Sequence, residues 1–137
     1  MADWKQVQKI ALALPQTSER TMYGWQSWCV RDKCFAWERP LGKSDLEALG
    51  KAAPTGPILA VRVENLIAKE AKLDAMSGIC FTIPHFDGYP AILIRLPKIT
   101  AKRLEDLMVE AWLARAPKKV AQEFLEATAP RRAPRAR

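Results

Sequence analysis

Side chains able to do chemistry are sparse in this sequence. His85 is the sole histidine, and Asp87 follows two residues later in the stretch TIPHFDGYP (82–90). A His–Asp pair at that spacing can share a hydrogen bond, but acid–base or nucleophilic catalysis also needs a nucleophile beside the base. Only Cys80 and Thr82 are near in sequence, and nothing in the pattern places either one. The three cysteines, Cys29, Cys34 and Cys80, show no C-x-x-C spacing and fall in strand-like runs, which reads as buried thiols acting as small hydrophobes. One histidine and three scattered thiols give a zinc ion no ligand set. The chain has neither a Walker loop nor a G-x-G-x-x-G. The expectation is a non-enzymatic protein with no catalytic residues, metal or cofactor.

Binding chemistry is better represented. The net charge is +7, but the last eight residues, PRRAPRAR, hold four of the 22 basic groups and no acid. Residues 1–129 therefore carry 18 basic against 15 acidic groups, a net of +3. Without apolar periodicity, residues 130–137 read as a disordered tail whose arginines attract phosphate backbones irrespective of sequence. Arg31 and Lys33 flank one expected hairpin tip, with Arg39 and Lys43 after it. Arg95 and Lys98 end a second hairpin, and Lys118, Lys119, Arg131 and Arg132 add charge toward the C-terminus. These ten residues form a candidate surface for weak, sequence-tolerant DNA binding. A second reading is a protein- or small-ligand-binding module, in which Trp25, His85, Phe86, Asp87 and Tyr89 gather beside an uncovered sheet face.

The elements that must position these residues follow from periodicity. Trp4, Val7, Ile10, Ala11 and Leu14 are spaced as one helix face, with Asp3 as cap and Pro15 as stop. WQSWCVRDKCFAWER (25–39) reads as a hairpin turning at Asp32-Lys33. That register pairs Trp28 with Trp37 and Val30 with Phe35 on an apolar face, and Ser27/Glu38, Cys29/Ala36 and Arg31/Cys34 on the other. The Gly- and Pro-rich 40–57 reads as a connection with at most one helical turn near Asp45–Leu49. A strand is expected at 58–63 and a helix at 64–76 with Glu64, Lys69, Glu70 and Lys72 on its exposed side. Strands at 78–84 and 89–96 are joined by HFDG. Leu104, Leu107, Met108, Ala111 and Trp112 define a helix opened by Thr100 and stopped near Pro117, and a short helix follows. The order α-β-β-β-α-β-β-α(-α) implies an α+β fold, one domain over 1–129, with a five-stranded antiparallel sheet and helices packed on one side.

Several of these phrases in this order, ALALPQT, DKCFAW, GPILAVRV, FTIPHFDGYPAILIRL and EAWLARAPKKVAQEFL, resemble the MmcQ/YjbR family from about residue 4 to 126. The resemblance implies a compact α+β domain related to secretion-chaperone-like and frataxin-like sheets. It also implies DNA binding by two hairpins likened to a double wing, and it brings no catalytic set. Asp32 stands where the first turn calls for glycine, so Asp32 is expected to adopt positive φ. No apolar run approaches the roughly 20 residues that cross a bilayer, and charges interrupt the N-terminal stretch MADWKQVQKIALALP. The expected setting is cytoplasmic, away from membranes.

Overall fold

The computed structural model describes residues 2–22 and 24–128. The chain begins with α1 (Trp4–Leu12), where the Gln6 backbone N–H donates to the Asp3 carboxylate at 2.9 Å, the cap expected from the sequence. Three strands follow, β1 (Thr17–Met22), β2 (Trp25–Val30) and β3 (Lys33–Glu38), then α2 (Lys43–Leu49) and β4 (Ile58–Arg62). After α3 (Leu66–Ala75) come β5 (Cys80–Phe81) and β6 (Ala91–Arg95), and α4 (Ala101–Arg115) and α5 (Lys118–Thr128) end the described fold. All strands join one antiparallel sheet in the order β1-β2-β3-β4-β6-β5. The class is α+β, as expected, but the sheet has six strands rather than five. The extra one is β1, TSERTM, an edge strand whose residues 18–21 are exposed. It pairs with β2 through its backbone, so it carries no apolar alternation by which to be read.

The first hairpin also differs from expectation. Its turn is Arg31-Asp32, and Arg31 rather than Asp32 takes positive φ, +53°. Val30 lies opposite Lys33 and Cys29 opposite Cys34, then a bulge shifts the register so that Trp28 meets Ala36 and Ser27 meets Trp37. The extra residue lets Phe35 and Ala36 both enter the helix-side core and sends Trp37 to the other face, away from Trp28. Cys29 and Cys34 are joined by a disulfide, correcting the reading of both as free thiols.

Alternation along β4 separates the two faces. Leu59, Val61 and Val63 point into the larger core with Ile92, Ile94, Met108 and Trp112, beneath α1 and α4. Ile58 and Ala60 point the opposite way, into a smaller cluster with Ile83, Phe86, Ala91 and Leu93. Leu41 and Leu49, from the 40–57 connection, pack on that cluster. The second face is thus covered over β4 and β6 and open over β2 and β3. The connection holds two turns of helix where at most one was expected. The Gly42 backbone N–H donates to Asp45 at 2.9 Å, and Asp45 also pairs with Arg39 at 3.1 Å, which anchors the segment to the end of β3.

α4 matches its sequence pattern, with Thr100 accepting from the Arg103 backbone N–H at 3.2 Å and Leu104, Leu107, Met108, Ala111 and Trp112 all buried. Arg131, Arg132 and the tail lie outside the described residues. Among the described residues, no helix is long and apolar enough to cross a membrane.

Candidate functional site

Where the second sheet face stays open, a cleft of about 580 Å³ lies over β2 and β3, within the range of small-molecule sites. Trp25 and Ser27 come from β2, Cys34 and Trp37 from β3, and Arg62 from the end of β4. Arg39 and Pro40 close one end. His85 and Tyr89 form a wall, and Arg115 reaches in from the C-terminal end of α4.

The wall is the TIPHFDGYP turn, which is more structured than a simple hairpin link. Pro84–Phe86 form one 3-10 turn, and Gly88 takes φ +74°, a region glycine enters without the Cβ clash. Phe86 is buried in the smaller core, while His85, Asp87 and Tyr89 are exposed. The turn is pinned from below by Lys69, whose Nζ donates to the carbonyl of Phe86 at 2.6 Å and of Tyr89 at 2.8 Å. Lys69 is therefore buried, not on the exposed side of α3 as the charge pattern suggested. Burial lowers its pKa, with Asp87 and Glu70 acting the other way.

Aromatic contacts continue along the wall. Phe86 meets Tyr89 edge to face with ring centroids 5.5 Å apart, and Trp37 lies 6.4 Å from Phe86. The Arg39 guanidinium sits 5.7 Å from the Phe86 ring centroid and that of Arg62 sits 5.0 Å from the Tyr89 centroid. Trp25, 46% exposed, presents a large apolar surface across the cleft. Of the five residues read as a ligand surface, Trp25, His85 and Tyr89 converge here, Phe86 supports them from the core, and Asp87 lies on the same turn without lining the cleft.

The residues read as a DNA surface do not gather on one patch. Because Glu38 pairs with Leu59 and Ile58 with Arg95, Arg39 and Arg95 sit at one end of the sheet, while the Arg31-Asp32 turn and Lys33 sit at the other. The two groups are separated by the length of β3, about 20 Å at 3.3 Å per residue. Arg31 donates to Gln16 Oε1 at 2.6 Å, Arg95 donates to the Gly78 carbonyl at 3.3 Å, and Lys43 and Lys98 are exposed at the Arg39 end. Lys118 and Lys119 are exposed just beyond Arg115.

Sequence reasoning missed Trp37, Arg62, Arg115 and Lys69. Arg62 carried a legible signal, since residues 58, 60 and 62 of a strand share a face and an arginine ending an apolar run marks where that face meets water. Trp37 was hidden by the bulge, and the placement of Arg115 depends on how α4 crosses the sheet.

The thiols do not supply a nucleophile to the cleft. Cys34 is in the disulfide, and the Cys80 thiol, in the larger core, is pushed up by burial to about 11. An unfolded chain releases this proton near 9, so folding stability should fall as pH rises from about 9 toward 11. Relative to Cys80→Ala, the wild type should lose about 2 kcal/mol over that interval in urea unfolding at pH 8 and pH 11. Parallel pH dependence of the two proteins would contradict this burial.

No family model and no solved structure matches the chain. The chain is 48% identical over 128 residues to the uncharacterized proteins Rv2570 of Mycobacterium tuberculosis and Mb2600 of Mycobacterium bovis, covering 91% of its own length and 97% of theirs. It is a single α+β domain with an antiparallel sheet. It belongs to the same family as these mycobacterial proteins.

Proposed function

We propose that the protein is a binding module that receives a small organic ligand in the cleft over β2 and β3. The observation that carries this reading is the convergence of Trp25, Trp37 and Tyr89 with three arginines in one concavity, on a sheet face otherwise covered. Aromatic walls supply apolar area, and a few polar groups fix orientation, the usual division of labour in a ligand site. The Lys69 clamp holds the wall in place before any ligand arrives, which limits the ordering cost of binding. A thermal-shift screen of small aromatic compounds tests the reading. Cleft ligands should raise the Tm of the wild type with concentration and lose most of that effect in Trp25→Ser. Compounds that stabilise both proteins equally would place binding elsewhere.

A second reading is weak, sequence-tolerant DNA binding. It is favoured by the exposed Arg31, Lys33, Lys118 and Lys119 toward the end of the sheet that carries Arg62. Fluorescence anisotropy with duplex DNA should then show affinity falling steeply with salt. An affinity indifferent to salt, or no binding at low salt, would remove this reading.

A further inference from the structure

Arg62 and Arg115 enter the cleft from different layers, one at the end of β4 and the other at the end of α4. They are close enough that Arg62 repels the charge on Arg115, adding to the effect of burial in lowering the Arg115 pKa. The ion pairs formed among the described residues use Arg39, Lys72 and Lys102, so neither guanidinium is ion-paired, and Glu38, the carboxylate that lines the cleft, accepts from the Gln26 backbone N–H at 2.7 Å instead. The hydrogen bonds of Arg62 go to neutral oxygens, the Pro90 carbonyl at 3.1 Å and the Tyr89 hydroxyl at 3.4 Å. Nε of Arg115 is buried and meets no acceptor among the described residues.

Two like charges drawn partly out of water, neither of them in an ion pair, oppose folding. An oxyanion placed between them reverses the sign of that interaction. Guanidinium forks suit phosphate and carboxylate oxygens in paired hydrogen bonds, and arriving from two elements they can grip one such group from two sides. Trp25 and Trp37 provide flat apolar surface in the same cleft, whose 580 Å³ accommodates a ring system together with its anionic group.

We infer that the cleft takes a flat aromatic molecule carrying a phosphate or carboxylate, with the oxyanion between Arg62 and Arg115 and the ring against Trp25 and Trp37. The inference rests on the reading of the cleft as a ligand site and specifies the class of ligand.

Isothermal titration of the full chain with 1-naphthyl phosphate, 1-naphthoate and 1-naphthol separates the two ideas. At least one anion should bind tenfold or more tightly than the neutral naphthol, and the tighter of the two identifies which oxyanion the arginines prefer. Arg62→Gln and Arg115→Gln should each weaken the preferred anion at least tenfold and leave 1-naphthol unchanged. Because each substitution removes one of two repelling charges, Arg115→Gln should leave Tm unchanged or raise it, whereas a purely structural arginine would lower it. If 1-naphthol binds as tightly as both anions, the cleft remains a ring site and the anion inference fails. If none of the three binds, both the inference and the reading beneath it fail.

Discussion

Replacing Trp112 with alanine should cost about 3–5 kcal/mol, the range for removing a large aromatic side chain from a core. Trp112 is fully buried under the sheet and packs against Phe124 of α5, the two rings tilted at 55° with centroids 4.9 Å apart. Its Nε1 donates to the Pro15 carbonyl at 3.0 Å, tying α4 to the segment that leads from α1 into β1. One side chain thus joins the central helix, the last helix and the start of the sheet. A small domain has only about 5–15 kcal/mol of stability in total, so the variant should show a large drop in urea midpoint or fail to fold. Trp112→Phe keeps most of the packing and loses the hydrogen bond, at a cost of about 1–2 kcal/mol. Equal stability of the two variants would contradict the assignment of most of the effect to buried ring area.

Lys69→Met should cost about 2–3 kcal/mol and should also weaken binding in the cleft. Methionine fills much of the lysine stem's volume but removes the ammonium group, so the carbonyls of Phe86 and Tyr89 lose its charged hydrogen bonds and keep only those from the backbone N–H groups of Tyr89 and Ala91. Those carbonyls hold the two ends of the turn that presents His85 and Tyr89. Because α3 lies outside the cleft, the substitution touches no ligand, and its effect on affinity would come through the position of the wall. The expected pattern is a fall in Tm together with a several-fold loss of affinity for 1-naphthyl phosphate. A loss below about 0.5 kcal/mol would show that the turn keeps its shape without the clamp.

Much of the architecture could be read from periodicity. The caps at Asp3 and Thr100, the helical spacing of α4 and the apolar runs of β4 and β6 all rest on local patterns that tertiary packing reinforced. What escaped reading depended on contacts distant in sequence. The edge strand β1 satisfies its backbone against β2 while its side chains face water, so no apolar signal marked it. The bulge in β3 changes which face each following residue occupies, and with it the partner of Trp37, while the turn at Arg31-Asp32 rather than Asp32-Lys33 sets Cys29 opposite Cys34. Lys69 looked like one more exposed helical charge because its acceptors belong to a turn 17 to 20 residues away. The candidate site was legible at its aromatic wall and illegible at its arginines. A turn rich in aromatics announces itself within nine residues, whereas Arg62 and Arg115 meet only once strand and helix are packed.

The five tryptophans allow the central claim to be tested directly, since Trp25 and Trp37 line the cleft while Trp4, Trp28 and Trp112 belong to the helix side of the sheet. In a 15N-labelled sample titrated with 1-naphthyl phosphate, the indole N–H signals of Trp25 and Trp37 should shift to saturation and the other three should hold still. Shifts led by Trp4 and Trp28, or no shift in any of the five, would contradict the account.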